Sequence, residues 1–335
     1  MLRARLTRWL ESVWYGKVTP PWPLGVLEAV YLRGLWLRRW MYRKRFFRVG
    51  RPAAPVIVVG NLTVGGTGKT PVVTWLAREL AQRGWRPGVA LRGYRGRIQR
   101  ATLVGADSRA DEFGDEAVLQ YKAASCPVAI GVDRVQAAEL LIERAGCNVI
   151  ICDDGLQHWA LRRDFELVVI DGERRFGNGR LLPAGPLREP LTRLALLDAV
   201  VVNGGEPQAG ELPLTVGGSQ AMNLRVPGQL VALSQWRGLT VHAVAGIGNP
   251  QRFFRMLEAL GINVIAHPLP DHHAYRGNEL EFADQLPVLI TEKDAVKCAA
   301  FANERVYVVP VEAQLPAQLA DRIHNALHQL PRIRS

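Results

Sequence analysis

The chain has 335 residues, 48% of them hydrophobic, and this length predicts two domains, or one large one, with sizeable cores. Four scattered cysteines without paired spacing exclude a disulfide framework and a cysteine-based zinc site, and they fit a reducing compartment. The net charge of +11 is concentrated at one end: residues 1–51 hold twelve Lys or Arg against Glu11 and Glu28, together with five of the nine tryptophans.

Residues 1–20 and 24–47 are predicted as two helices within a basic, amphipathic segment over residues 1–50. Arginine interleaved with Trp, Leu and Tyr is typical of a segment at a membrane surface, and a nucleic-acid-binding arm is the alternative. The bulky leucines and tryptophans favour the membrane. Glu28 and several arginines interrupt the most apolar stretch, so a transmembrane helix is not predicted. A signal peptide is not predicted either, and we expect peripheral attachment to a membrane.

Residues 56–70, VIVVGNLTVGGTGKT, predict a buried strand, a glycine-rich turn and the start of a helix, which is the layout of a P-loop. Glycines let backbone N–H groups converge on a phosphate, and the helix N-terminus adds partial positive charge. Lys69 is expected to reach the β- and γ-phosphates, and the Thr70 hydroxyl to hold Mg²⁺. Thr63 stands where the strict pattern has glycine. The predicted nucleotide-binding residues are Thr63, Gly65, Gly66, Thr67, Gly68, Lys69 and Thr70.

Strands and helices then alternate, which predicts an α/β fold of the P-loop NTPase type, with a mostly parallel sheet covered by helices. Ligands in such sheets bind at the carboxyl ends of the strands. Strands are predicted at 56–60, 87–91, 128–132, 149–152, 167–170, 199–202, 241–245, 262–266, 288–291 and 306–311, and helices at 71–83, 115–124, 134–145 and 316–329.

The predicted domain boundary lies in a loop-rich stretch, residues 204–227. We expect a P-loop domain over residues 51–212 and a smaller α/β domain over residues 213–335, joined by a hinge. The C-terminal helix is free to pack back on the first domain. The turn at residues 246–250 is interpreted as a tight strand-to-helix connection, because it lacks the third glycine of a dinucleotide fingerprint.

Carboxylates follow two of the predicted strands. Asp153 and Asp154 end a buried strand, as expected of a Mg²⁺ site beside a P-loop. His158 follows them, either in the site or in packing. Asp115 and Glu116 open a helix, where their charge alone suits the N-terminus; the alternative is a base or a metal-linked acid facing the phosphate.

Arginines and histidines lie in three further loops. Arg92 follows the second strand and suits an anionic substrate, with a solvated loop as the alternative. Residues 174–190 form a long loop rich in Gly, Pro and Arg, in which Arg188 and Glu189 are candidates for phosphate and metal-shell roles. Residues 271–273, Asp-His-His, form a candidate metal or acid/base cluster.

Taken together, these motifs resemble the tetraacyldisaccharide 4′-kinase (lipid A 4′-kinase) family. The variant P-loop with Thr63 is the family's own. The matching stretches, in order, are 60–71 (GNLTVGGTGKTP), 92–94 (RGY), 114–116 (GDE), 153–158 (DDGLQH), 176–190 (FGNGRLLPAGPLREP), 271–272 (DH) and 291–295 (TEKDA).

The resemblance implies transfer of the ATP γ-phosphate to the 4′-hydroxyl of a tetraacyl glucosamine disaccharide 1-phosphate, giving lipid IVA in lipid A biosynthesis. It implies ATP and Mg²⁺, an acylated lipid substrate and a peripheral position on the cytoplasmic face of the bacterial inner membrane. We expect neither nucleic acid nor an obligate protein partner. The rival hypothesis is a membrane-tethered P-loop switch or ATPase, which would hydrolyse nucleotide without lipid.

The resemblance also implies residue roles. Asp115 is expected to be the catalytic base, and His272 the second-domain histidine that pairs with it, although His273 remains the alternative. Lys69 completes the catalytic set. The implied metal residues are Thr70, Asp153, Asp154 and Glu189, and the implied substrate-binding residues are Arg92, Tyr94, Asn178, Arg188 and His158.

Overall fold

The computed structural model describes residues 2–16, 18–226 and 228–330, so the parts of the predicted segments at residues 1, 17, 227 and 331–335 lie outside it. The helices are α1 Leu2–Tyr15, α2 Trp22–Arg43, α3 Lys69–Gln82, α4 Ala110–Phe113, α5 Asp115–Ala123, α6 Arg134–Ala145, α7 Pro250–Ala259, α8 Glu292–Cys298 and α9 Ala317–Gln329. The strands are β1 Val56–Gly60, β2 Pro87–Leu91, β3 Thr102–Leu103, β4 Val128–Ile130, β5 Val149–Asp153, β6 Phe165–Asp171, β7 Ala199–Asn203, β8 Leu212–Gly217, β9 Gln220–Asn223, β10 Leu230–Ala232, β11 Thr240–Ala245, β12 Asn263–Pro268, β13 Val288–Thr291, β14 Val306–Val309 and β15 Glu312–Gln314.

The larger sheet has nine strands in the order β15-β8-β7-β6-β1-β5-β2-β4-β3. Its pairings are parallel except at the two edges, where β3 and β15 run antiparallel. All five residues of β1, β2 and β5 are buried, as expected for strands covered by helices on both faces. The predicted α/β fold with a mostly parallel sheet is confirmed.

The smaller sheet has six strands in the order β10-β9-β14-β13-β11-β12. The predicted domain boundary falls at the first residue of β8, which pairs with β7 in the larger sheet, whereas the smaller sheet begins only with β9. The prediction of a loop over residues 204–227 is wrong for these two strands, because β8 contains a proline and both strands are half exposed and lack a continuous apolar run.

The chain returns to the larger sheet at its end. Strand β15 pairs with β8, and three buried residues of α9 (Leu319, Ile323 and Leu327) join the core beneath the larger sheet. The chain therefore leaves the larger sheet after β8 and re-enters it at β15, so two connections link the sheets.

Helix α2 lies on the outside of the larger domain and has no buried residue. Trp22 and Trp36 are 81% and 66% exposed. Helix α1 is anchored more firmly, because Val13 is fully buried and the Trp14 indole donates a 2.9 Å hydrogen bond to the carbonyl of Pro183. Within the described ranges, no helix is long and apolar enough to cross a membrane.

Helix α2 also contacts the long loop over residues 174–190, the arginine-rich loop. The Tyr31 hydroxyl donates to the carbonyl oxygen of Arg188 over 2.9 Å. Glu28 accepts a 2.7 Å hydrogen bond from the backbone N–H of Leu181 and forms an ion pair with Arg180. The exposed face of α2 and the loop beside the nucleotide region are therefore parts of one packed unit.

Candidate active site

The loop between β1 and α3 has the backbone form of a phosphate cradle. Gly65 and Gly68 have φ angles of +112° and +92°, which residues with a side chain rarely adopt. Lys69 begins α3, and its Nζ lies 3.2 Å from Asn61 Oδ1 and 3.4 Å from Asp154 Oδ1. Glycines, backbone N–H groups and the lysine ammonium thus meet at one helix N-terminus.

Thr63 stabilises the conformation of this loop. It is buried, forms an isolated bridge with Leu187 of the arginine-rich loop, and its carbonyl accepts a 2.8 Å hydrogen bond from Asn61 Nδ2. Thr67 is also buried, and its hydroxyl has no hydrogen-bond partner among the described residues. In this structure, therefore, Thr63 shapes the loop, whereas the Thr67 hydroxyl is left unsatisfied beside it.

Asp153, the last residue of β5, and Asp154, which follows it, differ in their electrostatics. Asp153 is buried, and burial raises its pKa to about 7. One of its oxygens, Oδ1, has no hydrogen-bond partner in the described part of the chain. Burial also opposes ionisation of Asp154, but the charges of Lys69 and Arg188 outweigh it and lower that pKa to about 2. Asp154 is therefore a fixed negative charge, whereas Asp153 titrates near neutrality.

Arg188 completes the polar side of the cleft. Its Nη1 lies 3.1 Å from both oxygens of Asp154 and 3.3 Å from Gln157 Oε1. Glu189 is buried, accepts a 2.8 Å hydrogen bond from Gln157 Nε2 and lies 3.6 Å from Arg193. Arg188 lines the cleft and Glu189 does not, since the Glu189 carboxylate faces Gln157 and Arg193.

Asp115 of the larger domain contacts His272 of the smaller domain, which lines the cleft between them. Asp115 is the first residue of α5 and is buried, and its Oδ2 lies 2.8 Å from Nδ1 of His272. Lys293 lies 3.3 Å from the other ring nitrogen of His272, and 3.2 Å from both Glu116 and Asp271. Burial raises the pKa of Asp115, but the hydrogen bond from His272 and the charge of Lys293 prevail and lower it.

The neighbouring histidine has a different partner. His273 Nε2 lies 2.8 Å from Glu279 Oε1, within the same loop. His272 adopts a φ of +58°, unusual for a residue with a side chain, and the two adjacent histidines contact different carboxylates. The Tyr94 ring lies 5.5 Å from that of His272, and Arg95 donates to the His272 carbonyl over 3.1 Å. In this structure the histidine that pairs with Asp115 is therefore His272.

Three further predicted substrate residues line the cleft, and one lies elsewhere. Arg92 and Tyr94 are exposed on its wall, and His158 also lines it. Burial lowers the pKa of His158 to about 4, so this imidazole is neutral at pH 7. Asn178 lies outside the cleft, because its Nδ2 donates to the carbonyls of Val13 and Ala184 and so ties α1 to the arginine-rich loop.

Sequence reasoning missed a second polar contact between the domains. Asp171, the last residue of β6, is buried and lies 2.7 Å from Arg252 of α7 and 3.3 Å from Asn249. The turn before α7 also touches the P-loop, since a methyl group on Gly248 would lie 2.6 Å from the Gly66 nitrogen. The only sequence signals are that Asp171 ends a strand and that Asn249 lies in a glycine-containing turn.

A P-loop, two acids on the neighbouring strand and a buried Asp–His pair across the cleft define a phosphotransferase of the P-loop α/β class. The model of the tetraacyldisaccharide-1-P 4′-kinase (LpxK) family matches residues 21–328. The chain belongs to this family, and the protein is accordingly an ATP-dependent kinase.

Relatives resemble the chain over nearly its whole length. The tetraacyldisaccharide 4′-kinase of Methylobacillus flagellatus is 50% identical over 97% of both chains. That of Nitrosococcus oceani is 46% identical over 94% of this chain and 93% of its own. A crystal structure of LpxK from Aquifex aeolicus in complex with ATP superposes with a TM-score of 0.75 at 29% identity, covering 90% of this chain and 97% of that one.

Proposed function

We propose that the protein transfers the γ-phosphate of ATP to the 4′-hydroxyl of a tetraacyl glucosamine disaccharide 1-phosphate, giving lipid IVA in lipid A biosynthesis. The observation that carries the proposal is the buried Asp115–His272 pair, which joins the two domains beside a cleft lined by His272 and the P-loop. A sugar hydroxyl is a poor nucleophile, so a carboxylate has to accept its proton as the phosphoryl group arrives.

Asp115 is the proton acceptor in this mechanism. Its lowered pKa keeps the carboxylate ionised at neutral pH. The acceptor oxygen attacks the γ-phosphorus, its proton passes to Asp115, and the bond from the γ-phosphorus to the bridging oxygen breaks, so that ADP leaves with the electron pair. Asp115 later releases the proton to solvent.

His272 and Lys293 position this base. An ammonium group can only donate, so Lys293 donates to Nε2 of His272, and the imidazole carries its own proton on Nδ1, which faces Asp115. His272 thus fixes the carboxylate through one oxygen and leaves the other to the substrate hydroxyl and the Glu116 backbone N–H.

The P-loop residues Gly65, Gly66, Thr67, Gly68 and Lys69 hold the phosphates in this proposal, with Lys69 neutralising charge on the transferred group. Lys69 and Arg188 both contact Asp154, so the positive charges are held in place before substrate arrives.

The residues around Asp153 fit a Mg²⁺ ion. No group of three or more His, Cys, Asp or Glu within the described ranges forms an all-protein metal site, but Mg²⁺ beside a P-loop needs only one or two protein oxygens besides phosphates and water. Asp153 has an unsatisfied buried oxygen and lines the same cleft as Thr70, and we assign these two as its ligands. Bound there, Mg²⁺ neutralises phosphate charge. Asp154 and Glu189 act on the site indirectly. Asp154 acts through Lys69 and Arg188, and Glu189 acts through Gln157.

The acceptor lipid enters past Arg92 and Tyr94, which line the cleft and are exposed to solvent. An arginine suits the anionic disaccharide, and an aromatic ring suits the face of a sugar. In this proposal, the exposed tryptophans of α2 lie at the headgroup level of the cytoplasmic leaflet of the inner membrane. The acyl chains of the substrate remain in that leaflet.

The decisive experiment incubates the full chain with ATP, Mg²⁺ and the disaccharide lipid and analyses the lipid by mass spectrometry. We expect a gain of one phosphate at the 4′-position, and Asp115→Asn should lower the rate by about 10²- to 10⁴-fold. ATP hydrolysis that is independent of lipid, with the lipid unchanged, would instead support a nucleotide-driven switch. A near-normal rate for Asp115→Asn would reject this residue as the base.

A further inference from the structure

The second contact between the domains forms a chain of polar groups that ends on the P-loop. Asp171 and Asn203 are register partners at the ends of β6 and β7. Arg252, from the second domain, contacts Asp171 Oδ1 over 2.7 Å and donates to the Asn203 carbonyl over 3.4 Å with the same nitrogen, Nη2. The Asn203 side chain in turn donates to the carbonyl of Thr67 over 3.0 Å.

Asn203 fits tightly against the P-loop. A methyl group on Gly68 would lie 2.3 Å from Asn203 Nδ2, so the amide fills the space beside the glycine that precedes Lys69. Asn203 is buried and ends β7, on one side of β1 in the sheet, whereas Asp115 begins the helix that leads into β4, on the other side. Any shift of Asn203 therefore moves the backbone that has to present its N–H groups to phosphate.

Asp171 stabilises Arg252 in this position. Asp171 is buried, and besides Arg252 and Asn249 it accepts hydrogen bonds from the backbone N–H groups of Glu173 and Arg174. A buried carboxylate is costly without a counter-charge, and Arg252 supplies one only when α7 lies against β6. The contact thus favours the closed arrangement of the two domains.

We propose that Arg252 and Asn203 are positioning residues that couple the closed position of the second domain to the shape of the P-loop. When Arg252 docks on Asp171, it also holds Asn203, and Asn203 holds the Thr67 carbonyl. Phosphate binding is then strong only when the cleft is closed, because the contacts of Arg252 and Asn203 hold the P-loop in place. The inference depends on ATP as the nucleotide and not on the identity of the lipid.

The same helix provides a matched control. Arg255 lies one turn beyond Arg252 on α7 and forms an ion pair with Glu173, which also follows β6. The two side chains are 50% and 38% exposed, and neither residue lines the cleft that contains the P-loop. Arg255→Ala removes another arginine–carboxylate ion pair between the domains without touching Asn203.

The test measures binding of a non-hydrolysable ATP analogue with Mg²⁺ to the full chain by calorimetry, without lipid. We expect Arg252→Ala to weaken binding at least tenfold and Arg255→Ala less than threefold. Arg252→Lys keeps the charge beside Asp171 but has a single nitrogen on a flexible stem, so it should retain the fold, as judged by thermal unfolding, and still weaken analogue binding. Equal effects of Arg252→Ala and Arg255→Ala would overturn the proposal.

A double-mutant cycle separates a relay from two independent contacts. If Arg252 acts through Asn203, then Asn203→Ala together with Arg252→Ala should cost no more than the larger single substitution. Multiplying effects would instead mean that Arg252 contacts the nucleotide directly, and this would overturn the relay. In the kinase assay, Arg252→Ala should lower kcat/KM for ATP and leave the KM for lipid unchanged. Calorimetry needs no acceptor, so failure of the proposed lipid reaction can be distinguished from failure of the relay.

Discussion

Asp153→Asn should make the ligand-free protein more stable at alkaline pH while abolishing its kinase activity. The substitution keeps the shape of the side chain and removes its charge. Asp153 is 5% exposed, and its pKa rises from 3.8 to about 7 through burial. The folded protein therefore prefers this carboxyl group protonated, and ionising it at higher pH costs free energy of folding.

The magnitude follows from the difference between the two pKa values. At about 1.4 kcal/mol per pKa unit, a rise of some three units corresponds to a penalty on the order of 4 kcal/mol. The penalty is absent well below pH 3.8, is about two fifths of its full value at pH 5 and is complete by pH 8. The reason is that the protonated carboxyl group of Asp153 stabilises the folded state, and this stabilisation is lost as the pH rises through the pKa that the group has in the folded protein. Water entering the cleft reduces this value, so we expect the variant to gain at least about 1 kcal/mol at pH 8.

The assay is urea unfolding of wild type and Asp153→Asn at pH 5 and pH 8, with a chelator and without nucleotide. The variant should gain more free energy of unfolding at pH 8 than at pH 5. Adding Mg²⁺ and ATP should stabilise the wild type more than the variant, because ligand bound to the folded state raises its apparent stability. If the variant gains nothing at pH 8, or the same amount at both pH values, the burial penalty assigned to Asp153 is refuted.

Two further predictions concern the proposed base and the proposed membrane face. Lys293→Met should lower kcat on the order of tenfold, because the proton of the His272 imidazole is no longer fixed on the nitrogen facing Asp115. Lys293→Arg retains a donor and is the control. The measurement is kcat between pH 6 and 9, and equal rates for Lys293→Met and wild type would contradict the prediction. Replacing both Trp22 and Trp36 by serine should weaken binding to anionic vesicles at least tenfold in a sedimentation assay, since each ring contributes about 1.5–3 kcal/mol when fully buried in an apolar phase. Phe301→Ser, at an exposed apolar position in the second domain, is the control, and loss of binding in that variant alone would refute the assignment of α2 to the membrane.

The sequence predicts those strands best that are buried on both sides. Strands β1 and β2 have the predicted ends, because a short apolar run bounded by turn residues leaves little choice of limits. Strands β8 and β9 were missed because their half-exposed residues alternate without a strong pattern. Pairing with distant strands, which no local pattern encodes, is what makes them strands.

The same distinction applies to the candidate site. Asp153, Asp154 and Lys69 are predictable because each lies next to a recognisable strand or glycine turn. The contact of Arg252 with Asp171 was not predictable, because it joins residues 81 positions apart through the packing of two domains. Asn178 lies in a motif that suggested substrate binding, but the direction of its side chain depends on α1, whose docking a motif does not encode.

The hydrogen bond from Tyr31 to the backbone of Arg188 links the exposed helix α2 to the polar wall of the cleft. If α2 lies on the bilayer, the height of the reaction centre above the lipid is fixed by a short, direct chain of contacts. The enzyme then searches for its acceptor by lateral diffusion in two dimensions. Its rate should follow the mole fraction of acceptor within the surface, so diluting the acceptor with inert lipid should slow turnover even when the bulk concentration of acceptor is held constant.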